Sequence, residues 1–140
     1  MEKLAKFLYG WLLDGTEAHS TYFTNEGGWL LCFVMMLGIS LAATLIYYFG
    51  IATKVNQATK ENYLWTWIFG YIVLFFFTPL IFQLNFRSAG VSIWDFPSLF
   101  VYIGLLNAVY YTIIFQLLSS VWCTTPWTKA KIITLFTLFK

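Results

Sequence analysis

Asn107 and Gln116 stand out against their surroundings, because each places a side-chain amide inside a long apolar stretch. An amide neither gives up a proton usefully nor attacks a substrate. In hydrocarbon it is costly unless paired, so each should point at another helix or at water. The pair favours packing or permeation over catalysis.

The reactive residues are sparse. His19 is the single histidine and stands near Asp14 and Glu17. Two carboxylates and an imidazole are capable of ligating a metal, but this spacing matches no metal motif, and a solvated loop is the expectation. Cys32 and Cys123, the two cysteines, fall near the ends of apolar stretches on opposite sides of a membrane, where they cannot pair within one chain. No Ser/His/Asp or Cys/His set has its members on one side, and no glycine-rich phosphate loop is present. The expectation is a chain that is not an enzyme and holds no cofactor or metal.

The elements carrying these residues follow from composition. Of 140 residues, 60% are hydrophobic, 22% are aromatic and 10% are charged. A soluble domain of this size leaves much of its surface in water and cannot hide such an excess. Aromatic content this high also excludes a disordered chain. A net charge of +2 with no Lys/Arg-rich run gives no footprint for nucleic acid.

Three stretches lack Asp, Glu, Lys, Arg and His and are long enough for roughly 30 Å of hydrocarbon: about residues 29–52, 63–83 and 99–122. Their continuous apolar character predicts helices, not alternating barrel strands. The expected fold is all-α and integral to the membrane, a single embedded domain over residues 1–140. Trp and Tyr favour the headgroup layer, so Trp29, Tyr47, Tyr48, Tyr63, Trp65, Trp67, Trp94, Trp122 and Trp127 are expected at the membrane interface.

Both termini read as amphipathic helices lying on the membrane surface. In residues 1–13, Leu4, Leu8, Trp11 and Leu12 share a face away from Lys3 and Lys6, and Asp14-Gly15 ends the helix. The charged and apolar regions do not fit a signal peptide. Residues 127–140 follow Pro126, with Ile132, Leu135, Phe136 and Phe139 on one face and Lys129, Lys131 and Lys140 flanking it.

Lys54, Lys60, Lys129, Lys131 and Lys140 lie on one side of the membrane, against Arg87 and the distant Lys3 and Lys6 on the other. The positive-inside rule predicts a cytoplasmic 53–62 loop and C-terminus.

Small residues mark where helices can approach. Gly38 and Ala42 are four apart in the first stretch, flanked by Ser40 and Ala43. In the third, Gly104, Ala108, Thr112, Gln116 and Ser120 recur at every fourth position. Such a row drifts about 40° per step and traces a slanted ridge. A helix–helix contact is the expectation, and a wet, pore-lining surface is the sharper alternative. In the second stretch Gly70 and Thr78 accompany Pro79, which frees a carbonyl and predicts a kink that Thr78 helps to satisfy.

The chain thus reads as a non-catalytic membrane subunit or anchor, in contact with the lipid bilayer and with other membrane subunits or copies of itself. The alternative is a homo-oligomeric pore or membrane-disrupting effector whose third span lines the lumen.

Overall fold

A computed structural model describes residues 2–10, 28–86 and 97–123, which are mostly helical with no strand among them. Helix α1 covers Glu2–Gly10, α2 Gly28–Leu45, α3 Lys60–Phe86 and α4 Pro97–Trp122. Segments Leu30–Ile51 and Val101–Trp122, 22 residues each, are long and apolar enough to cross a membrane. The C-terminal surface helix, Trp94, Trp127, Lys129 and Lys131 lie outside the described residues, as do Trp11 and Leu12.

The ends of the helices have local causes. Pro97 opens α4, at a first-turn position where its missing N–H has no partner to lose. Thr59 caps α3: its hydroxyl accepts the Asn62 N–H at 3.2 Å, and its carbonyl accepts the Tyr63 N–H at 3.2 Å. Glu61 adds a negative charge to that first turn. The cap starts α3 three residues before the apolar stretch at 63. Within α3, the Thr78 hydroxyl donates to the Leu74 carbonyl at 2.6 Å. The carbonyl one turn before Pro79 belongs to Phe75, so this bond settles the hydroxyl, not the group that proline releases.

After α2 the chain widens into a π-helical turn, Ile46–Ile51, closed by the Ala52 N–H donating to the Tyr47 carbonyl at 2.7 Å. That bond spans five residues instead of four. The wider turn holds the adjacent Tyr47 and Tyr48 side chains inward together, both essentially without solvent contact. A short 3₁₀ turn at Val55–Gln57 completes the connection to α3.

The three long helices expose rows of large apolar residues and bury a few polar ones beside an apolar core. On α4 the row Val101, Leu105, Val109, Ile113, Leu117 and Val121 is exposed, while Asn107, Tyr111 and Ser119 are buried. On α2, Val34, Leu41 and Leu45 are exposed, whereas Ser40 and Thr44 are fully covered. On α3, Phe69, Ile72, Phe76, Phe77 and Leu80 face outward and Thr78 inward. Exposed apolar rows of this length are unfavourable in water.

Contacts group the chain into two compact units: Met1–Met36 with Leu74–Ala108, and Leu37–Val73 with Val109–Lys140.

Candidate functional site

The inward row of α4 is the site that the amides and small residues point to. In the second unit its side chains are Tyr111, Phe115 and Ser119, all essentially fully buried. They form one end of a run of rings. Tyr48 meets Tyr47 edge-on at 4.9 Å, Tyr47 meets Tyr63 at 5.1 Å, Tyr63 meets Phe115 at 5.1 Å, and Phe115 meets Tyr111 at 5.7 Å. Edge-to-face and tilted ring contacts of this kind add about 0.5–1.5 kcal/mol each beyond their buried area.

Three tyrosine hydroxyls along the run reach an acceptor. Tyr63 donates to the Ser119 hydroxyl at 3.0 Å. Tyr47 donates to the Thr59 carbonyl at 3.2 Å, tying the π-helical turn to the cap of α3. Tyr111 donates to the Trp67 carbonyl at 3.1 Å, and the Trp67 indole N–H donates to the Thr112 hydroxyl at 3.3 Å. Two bonds thus join α3 and α4 at one level. Gly70 makes this approach possible. A Cβ built there would collide with the Tyr111 hydroxyl and lie 3.3 Å from the Ala43 Cβ. The glycine leaves the space through which Tyr111 reaches the α3 backbone.

The first unit holds a reciprocal contact. Here the glycine is Gly104 of α4, and a Cβ on it would lie 2.7 Å from the Phe75 ring of α3. Three residues on, Asn107 is 1% exposed and accepts the Tyr9 hydroxyl at 2.5 Å. This bond fixes α1 against α4. The Asn107 side-chain nitrogen has no hydrogen-bond partner among the described residues. On α1, Tyr9 is the buried side chain, while Lys3, Leu4, Lys6 and Phe7 are exposed. The face expected to lead with Leu4 leads with Tyr9, because the phenol finds an acceptor there.

Other candidate positions sort by angle around their helices. Gly104 is buried, Ala108, Thr112 and Gln116 are half-buried, and Ser120 is exposed. The exact fourfold row turns outward along α4, while the 107–111–115–119 row stays inside, with Asn107 as its first signal. Ser120 donates to the Gln116 carbonyl at 2.9 Å. Gly38 and Ala42 are exposed on α2, with open space around a Cβ at Gly38.

Trp65 projects outward, Trp67 turns inward, and Trp122 stacks edge-on with Phe49 at 5.3 Å. Tyr47, Tyr48 and Tyr63, expected at the headgroup layer, turn their rings toward the interior of the chain, where acceptors and other rings meet them. Trp29 lies in the first turn of α2, and Pro79 within α3.

Cys32 is buried and Cys123 half-buried, and neither is in a disulfide. Among the described residues no group of three or more His, Cys, Asp or Glu gathers as a metal site. His19, Asp14 and Glu17 lie outside those residues. Comparison with protein-family models, curated proteins and solved structures finds no match to this chain.

Proposed function

We propose that the chain is a non-catalytic, multi-pass membrane subunit or anchor of a larger membrane assembly, with α2, α3 and α4 each crossing the bilayer. The observation that carries this reading is the occupancy of the α4 inward face by the same chain. Phe75 fills the space over Gly104, Tyr9 takes Asn107, and Trp67 takes Thr112. A lumen needs those groups wet, whereas an anchor needs them paired. Helix α3, 27 residues with Phe69, Ile72, Phe76 and Leu80 facing outward, has the length and exterior of a span. Its lysine-bearing loop at residues 53–62 and the C-terminus face the cytoplasm in this arrangement.

The exposed apolar rows on α2, α3 and α4 are the surfaces for lipid and for partner subunits. A homo-oligomeric pore is the competing reading. It rests on Gln116 and Ser120, where the fourfold row emerges at the surface.

Planar bilayers distinguish the two. Purified protein acting as an anchor passes no current, and Gln116→Leu changes nothing beyond about 0.6–2 kcal/mol of stability. A current that falls sharply in Gln116→Leu, from a drier lumen wall, removes the anchor reading. Orientation is read from a cytoplasm-specific reporter fused after Lys140. Activity there supports the proposed topology, and an inactive but well-expressed fusion reverses it.

A further inference from the structure

We draw no further inference here: the strongest candidate, the buried Asn107 amide of α4 beside Tyr9 of α1, belongs to the site already described, and nothing in the structure shows a ligand or partner for its enclosed nitrogen.

Discussion

The two units solve the same problem to different degrees. Both press a glycine of one long helix against an aromatic ring of another, Gly70 under Tyr111 in one and Gly104 under Phe75 in the other. In the second unit the intruding ring carries a hydroxyl that ends on a backbone carbonyl, and Tyr47 and Tyr63 likewise find acceptors. In the first unit the intruding ring is a phenylalanine. The polar closure there is Tyr9 on Asn107, which leaves an amide nitrogen unpaired among the described residues. Where hydrocarbon surrounds a bundle, apolar contact gives helices little reason to prefer each other over lipid, so close packing and completed hydrogen bonds set the stability. The difference implies that the second unit resists opening more than the first, where a buried amide nitrogen is left unpaired among the described residues.

The glycines give the largest effects. Gly70→Ala should destabilise by about 2–4 kcal/mol, combining overpacking of about 1–3 kcal/mol with loss of the Tyr111 hydrogen bond. Gly104→Ala should cost less, because a phenylalanine ring turns aside without breaking a hydrogen bond. Thermal unfolding in detergent micelles measures both. The sharper form is a double-mutant cycle. Tyr111→Phe deletes the atom nearest the new methyl group and should recover part of the Gly70→Ala loss. Additive effects would mean that the Tyr111 hydroxyl is not what meets Gly70.

The second test breaks the weaker unit. Tyr9→Phe leaves the buried Asn107 carbonyl without its donor and should cost about 1 kcal/mol, freeing α1 from α4. A fluorophore at the exposed Phe7 position should report the release as a faster, less restricted signal. Replacing both partners, Tyr9→Phe with Asn107→Leu, should be milder than Tyr9→Phe alone, because no buried polar group is then stranded. An equal or greater loss in the pair would show that Asn107 matters beyond this bond.

The smallest effect belongs to the network. Ser119→Ala removes the acceptor of Tyr63, yet the ring contacts with Tyr47 and Phe115 remain. A loss of about 0.6 kcal/mol is expected, the average for a hydrogen bond within a membrane protein. A loss several times larger would mean that the hydroxyl bond, not the rings, carries the second unit.

Sequence reasoning reached the helices because their signal is crude. Long runs without charge can be read one residue at a time, and the structure extends them only by caps such as Thr59 and Pro97. Gly104, Asn107 and Thr112 were likewise legible, since small and amide residues are conspicuous among aliphatic ones. The partners of the tyrosines were not. A tyrosine's amphipathic side chain suits both a headgroup layer and a satisfied interior, and composition does not distinguish the two. Only the positions of Thr59, Trp67, Ser119 and Asn107 reveal that acceptors lie within reach. The 104–108–112–116–120 row and the buried 107–111–115–119 row share a four-residue spacing, so spacing alone does not say which of them faces inward. Nothing in Ile46–Ile51 announces a wider turn, which depends on the inward packing of Tyr47 and Tyr48.

The outward apolar rows and the inward glycines, rings and hydroxyls of the long helices mean that such a gene is written in two alphabets. Where they meet lipid, outward positions such as Leu105, Val109, Ile113 and Leu117 answer to bulk hydrophobicity alone. Any of Leu, Ile, Val or Phe serves there, so neutral drift is fast and leaves little trace of ancestry. Inward positions answer to shape and to a hydroxyl in one place, so Tyr111, Ser119 and Gly70 admit few letters. A saturation library selected for accumulation in the membrane should fall into these two classes along each helix, repeating about every three to four residues. Distant descendants of this chain would share a sparse pattern of glycine, tyrosine and serine set in interchangeable aliphatic text.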